Sequence, residues 1–198
     1  MRLLAAFLLL LGFLSAETYT YWIEPCADNG TTCRSEDADL AQWALRAWQS
    51  ASSGELRFEK TGRMEQAQLR FHWAVGRGGL YGEARPILVN GRRGAEIHVR
   101  PDLAHLGKEM AAIGQRDPLF RETIVYLTCL HESGHAIGLA HTAAFGDIMY
   151  SFQHGGDIVE YFMRYRRKLA ARDDIRRNSG ISAEDQAALR TLFTSKRP

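Results

Sequence analysis

The chain changes its hydrophobic rhythm several times, and each rhythm predicts a different element. Leu3 to Leu14 is an apolar run behind the single charge of Arg2. Thr18 to Pro25 (TYTYWIEP) is rich in aromatic and β-branched residues and predicts a first strand. Leu40, Ala44, Ala47 and Trp48 then recur at helical spacing, so an amphipathic helix runs to near Ser53-Gly54. Ser35 is placed to cap it, with Glu36, Asp37 and Asp39 in the first turn, where the macrodipole favours acids. Trp48 falls on its core face. Leu56 to Lys60 (LRFEK), Gln68 to Val75 (QLRFHWAV) and Ala95 to Val99 (AEIHV) alternate and predict strands. Gly76 to Gly79 reads as a turn. Leu80 to Val89 is extended, with Pro86 pointing to a sheet edge and Asn90-Gly91 to a turn. Asp117 can cap a helix whose first residue is Pro118. From Leu119 to Ala140 the chain is apolar on several faces, which predicts a helix buried mid-domain. Strand, helix, strands and then helices make an α+β pattern without internal repeats.

Composition narrows the class. The 198 residues suffice for one domain with a real core, and the 45% hydrophobic and 24% charged content is that of a globular protein. A net charge of +2 argues against nucleic acid or a membrane surface as the main partner. Arg2, the apolar run and the small pair Ser15-Ala16 read as a secretory signal over residues 1–16, although Leu14 is not ideal before the cleavage site. The run is short for a bilayer span, so stable membrane insertion is not expected. The mature part, residues 17–198, is then an exported single domain. In that setting Cys26 and Cys33 are close enough to bridge a short loop, worth about 2–3 kcal/mol. Two free thiols are the alternative. Asp28 and Asn29 in this loop match no calcium-binding spacing and read better as a turn. His72, alone in a strand, is more simply structural than a metal ligand.

The chemistry concentrates in His131-Glu132-Ser133-Gly134-His135-Ala136-Ile137-Gly138-Leu139-Ala140-His141. His131 and His135 lie one helical turn apart and face the same way, so two nitrogens can share one Zn²⁺. Glu132, one position on, is not needed as a ligand and is placed to act as general base on water. A straight helix would carry His141 away. Gly138 can take a left-handed conformation, end the helix and turn His141 back as third ligand. Three protein ligands leave the fourth position open, as a catalytic zinc requires. Cys129 points to the other side of the helix and reads as a buried, inert thiol. The bland alternative, a helix with solvated or core histidines, does not account for this spacing.

This motif, HExxHxxGxxH, resembles the metzincin signature, and Asp147-Ile148-Met149-Tyr150 resembles its Met-turn. The chain is most similar to the matrixins, the matrix metalloprotease-like branch. Thr142 follows His141 as serine usually does there. Tyr150 directly follows Met149, not two residues on, where astacin-like and serralysin-like enzymes place a zinc-binding tyrosine. Ala44 to Phe58 resembles the matrixin helix-to-strand passage, and Ile181 to Phe193 its closing helix. The resemblance implies a zincin-like α+β fold: a twisted mixed sheet of about five strands with an antiparallel edge strand, an active-site helix and a C-terminal helix. It implies a secreted zinc endopeptidase in which Met149 packs beneath the metal. It also implies that the edge strand over the cleft, at Gly79, Leu80, Tyr81 and Gly82, binds peptide substrates by strand addition.

Departures from the family set further expectations. Few residues separate the cleavage site from the first strand, leaving no room for an inhibitory propeptide. The loop from Phe71 to Gly79 is short, and His98 resembles one structural-zinc histidine whose partners are missing. One zinc is therefore expected, with no firm calcium site. Residues 152–180 are longer than the family needs. Ile158, Phe162, Tyr165 and Leu169 can pack, while Arg164, Arg166, Arg167, Lys168 and Arg172 are basic. This insert reads either as an amphipathic surface helix or as a lid selecting acidic substrates. The partners expected are peptide or protein substrates of a monomeric enzyme. A non-catalytic zinc-containing peptide-binding or adhesion module is the alternative function, against which the intact Glu132 argues.

Overall fold

The computed structural model describes residues 16–27, 31–75 and 81–194. The apolar run Leu3 to Leu14, Asp28, Asn29, and residues 76–80 with Gly79 and Leu80 lie outside the described residues. Five strands form one mixed sheet: β1 (Glu17–Ile23), β2 (Leu56–Lys60), β3 (Leu69–Trp73), β4 (Gly82–Val89) and β5 (Arg92–Val99), in the order β2-β1-β3-β5-β4. The first four in that order run parallel. β4 returns antiparallel along β5 through the Asn90-Gly91 turn and forms an edge, where Pro86 is tolerated.

Two helices, α1 (Asp37–Ala51) and α3 (Pro118–Ile137), pack together, and α3 also lies against β4 and β5. Alternate residues of the central strands fill the core: Tyr19 and Tyr21, Leu69 and Phe71, Ala95 and Ile97. Trp48 of α1 is fully buried and its indole N–H donates to the Leu130 carbonyl at 2.9 Å. A short helix α2 (Lys108–Arg116) precedes α3, while α4 (Ile158–Arg166) and α5 (Ala183–Thr194) follow it.

One local expectation fails. Ser35 does not cap α1, whose first turn has no side-chain cap bond. Asp37 instead accepts from the Arg34 backbone N–H at 2.9 Å and takes both Nη atoms of Arg121, at 2.8 and 2.7 Å. An ion pair buried to this degree outweighs a solvent-exposed cap, because an unpaired charge there would be very costly. Arg121 also donates to the Thr32 carbonyl at 3.1 Å, which ties α1 and α3 to the loop closed by the bonded pair Cys26 and Cys33. Among the described residues, no helix is long and apolar enough to cross a membrane.

Candidate metal centre

α3 starts and stops as its sequence requires. The Asp117 carboxylate accepts from the Phe120 N–H at 3.3 Å, with Pro118 in the first turn. At the other end Gly138 is left-handed, with φ 116° and ψ 10°. Its N–H and that of Leu139 reach back to the Gly134 carbonyl at 3.2 and 2.9 Å, closing the last turn. The chain then reverses. The Thr142 N–H bonds the Met149 carbonyl at 2.8 Å and the Ser151 N–H bonds the Thr142 carbonyl at 3.1 Å, pinning the residue after His141 to the backbone on either side of Tyr150.

This reversal brings three imidazoles together. The Nε2 atoms of His131, His135 and His141 lie 3.2, 3.3 and 3.0 Å from one another. Two of the rings have defined outer partners: His131 Nδ1 lies 2.7 Å from the Ile148 carbonyl and His135 Nδ1 2.9 Å from the Leu139 carbonyl. A carbonyl only accepts, so those Nδ1 atoms carry the protons and the Nε2 lone pairs are bare. Bare lone pairs this close repel unless a cation sits between them. Tetrahedral ligation at the usual zinc–nitrogen length spaces donors by about 3.3 Å, so the donor set and its spacing both fit zinc. Among the described residues this is the one group of histidine, cysteine and acid side chains that could hold a metal. His72 stacks on His98 across β3 and β5, with ring centroids 5.2 Å apart, away from the three histidines.

Glu132 is only 5% exposed and lines the same cleft. Burial, with a smaller contribution from Glu83, pushes its pKa up to about 8, while Arg100 and the Ala84 N–H oppose the shift. Strand β4 crosses close over it: a Cβ on Gly82 would lie 2.5 Å from Glu132 Oε1. The cleft, of about 450 Å³, runs between Tyr81 to Ala84 on one wall and Tyr150 to Gln153 with Ile158 on the other. Met149 is buried beneath, where a Cβ on Gly134 would lie 2.4 Å from its Sδ. The Tyr150 hydroxyl donates to the Gly155 carbonyl at 2.7 Å. Cys129 is fully buried on the other side of α3, and burial pushes its thiol well above the ordinary value.

A model of the matrixin peptidase family matches residues 13–162, three quarters of the chain. The chain is a matrixin. Comparison with individually curated proteins returns no match. Family and three-histidine site together point to a zinc metallopeptidase. One contact to the Met-turn of this matrixin is not singled out by the sequence pattern. Asp185 of α5 is fully buried and accepts from the Ile148 and Met149 N–H groups at 2.7 and 3.2 Å. Ser182-x-x-Asp185 is legible as a helix start, but not its reach to the Met-turn.

In the 152–180 segment the placement of the basic side chains favours the amphipathic surface helix over the acid-selecting lid. No lysine or arginine is among the described residues lining the cleft. Arg166 bonds Asp117 at 2.7 Å, Arg167 pairs with Glu160, Arg177 with Asp174, and Arg172 with Asp39 and Glu122. Only Phe152, Gln153 and Ile158 of this segment face the cleft.

Proposed function

We propose that this matrixin is a secreted zinc endopeptidase that hydrolyses peptide bonds, with Glu132 as general base. The observation that carries the proposal is the convergence of three Nε2 atoms within 3.3 Å beside a buried carboxylate in one cleft. His131, His135 and His141 would hold the metal. Zinc, when bound, supplies Lewis acidity to the scissile carbonyl and lowers the pKa of water towards neutrality. Glu132 accepts the proton of the attacking water and passes it to the leaving amine. Its burial makes it a good base once a neighbouring cation holds it ionised. Among the described residues the outer edge of β4 pairs with no other strand, so an extended peptide can add there antiparallel, alongside Tyr81 to Ala84. Export is supported by the apolar N-terminal run and by the Cys26–Cys33 bridge.

Digestion of a broad peptide library tests this reading. Zinc-loaded protein is expected to cleave internal bonds, to stop after chelation and to recover with added zinc. Hydrolysis indifferent to the chelator, or none by zinc-loaded protein, would overturn it.

A further inference from the structure

The direction of the His131 ring depends on one backbone oxygen, the Ile148 carbonyl, 2.7 Å from Nδ1. That oxygen has a second partner. The Tyr161 hydroxyl of α4 lies 3.2 Å from it and 3.0 Å from the Asp147 carbonyl, so its one proton is shared between the two. Arg164, one turn on, lays its guanidinium 4.4 Å over the Tyr161 ring. Its Nη1 donates to the Gly146 carbonyl at 2.6 Å and its Nη2 to the Asp147 carbonyl at 3.4 Å. Asp185 holds the N–H groups of Ile148 and Met149. The backbone from Gly146 to Met149 is thus gripped through its carbonyls by α4 and through its amides by α5.

The grip is built to be stiff. Tyr161 is 3% exposed, and its ring sits among Phe145, Tyr150, Phe152 and Phe162 at 5.1–5.9 Å. Burial pushes its hydroxyl up to about 12, so it remains a proton donor at neutral pH. The Asp157 side chain caps α4 at its start, and Arg166 ties its end to Asp117 at the start of α3.

We propose that Tyr161, supported by Arg164, is a positioning residue for the zinc ligand His131, and that α4 braces the metal centre from behind. The proposal rests on the zinc reading of the three histidines. Tyr161→Phe removes only the hydroxyl and keeps the ring in its packing. The Ile148 carbonyl then keeps His131 as its one partner and is free to tilt, and the imidazole orientation loosens with it. Removing a ligand's direct hydrogen-bond partner costs about 10–100-fold in metal affinity, and Tyr161 acts one bond further out, so a loss of about 3- to 10-fold is expected.

Competition with a chromogenic chelator measures this on the full chain, as the zinc dissociation constant and release rate of wild type, Tyr161→Phe and Phe162→Leu. Phe162 is fully buried beside Tyr161 but bonds nothing at the Met-turn, so its variant reports loss of packing alone. Tyr161→Phe is expected to bind zinc about 3- to 10-fold more weakly and release it faster, whereas Phe162→Leu unfolds at lower temperature with unchanged zinc affinity. Proton NMR of the metal-free protein adds a readout independent of zinc: the His131 Nδ1 proton should exchange faster in Tyr161→Phe. Equal affinity and equal exchange in wild type and Tyr161→Phe would overturn the brace. A wild type that binds no zinc but shows the exchange difference would overturn the zinc reading while leaving the positioning of His131 standing.

Discussion

Two regions meet at the Ile148 carbonyl and are encoded in opposite ways. On one side lies α3 with the loop to His141. There the backbone course that presents the ligands is set by neighbours within a few positions: Asp117 starts the helix, the i, i+4 spacing aligns His131 with His135, and Gly138 turns the chain. On the other side lies the 152–180 segment with α5. There the decisive contacts run over long separations, such as Asp185 to Ile148, 37 positions apart, and Arg172 to Asp39, 133 apart. Ligands can be written locally because helix geometry is periodic. The supports that hold those ligands still are tertiary and have no period.

Breaking the local side should have the largest effect. His135→Ala removes one of three nitrogens and is expected to abolish both stoichiometric zinc binding and hydrolysis, measured by metal analysis and peptide cleavage. Retained zinc at wild-type affinity would mean that the three-histidine geometry is not the site.

Breaking a long-range support should cost stability first. Arg121→Ala leaves the Asp37 carboxylate buried without its main partner and is expected to destabilise the fold by about 3–5 kcal/mol in urea unfolding. The double variant Asp37→Leu/Arg121→Met should recover much of that loss, since a buried ion pair can often be replaced by apolar residues. A single variant as stable as wild type would show that this pair does not staple α1 to α3.

Smaller effects sharpen the contrast. His98 is held below its ordinary value of 6.5, first by burial and then by His72. The unfolded chain therefore takes up the proton more readily, so this contribution is present above pH 6.5 and is lost as pH falls below it. In the chelator-treated protein, His98→Gln should lose less stability than wild type between pH 7 and pH 5. Smallest of all, Cys129 should resist iodoacetamide in the native protein at pH 8 and react only on unfolding, because burial keeps it protonated and covered.

These contrasts also mark what the sequence could reveal. Strands β2, β4 and β5, the buried α3, the Gly138 reversal and the three-histidine set follow from period, capping and spacing. Asp37 does sit in the first turn of α1, but its partner is not legible, because an acid there looks the same whether it faces solvent or an arginine 84 positions away. The role of Tyr161 is hidden for a related reason: it sits beside Phe162 on a packed face, and nothing local distinguishes an aromatic that fills space from one whose hydroxyl holds a carbonyl. The stretch between β5 and Asp117 carries no pattern strong enough to place α2.

Glu132 lines the cleft without joining the three nitrogens, so its loss separates metal binding from hydrolysis. Glu132→Ala should fold, bind one zinc with affinity close to wild type and lose peptide hydrolysis by about 10²- to 10⁴-fold, as expected when a general base is removed. Peptide cleavage by zinc-loaded Glu132→Ala at the wild-type rate would contradict the assignment.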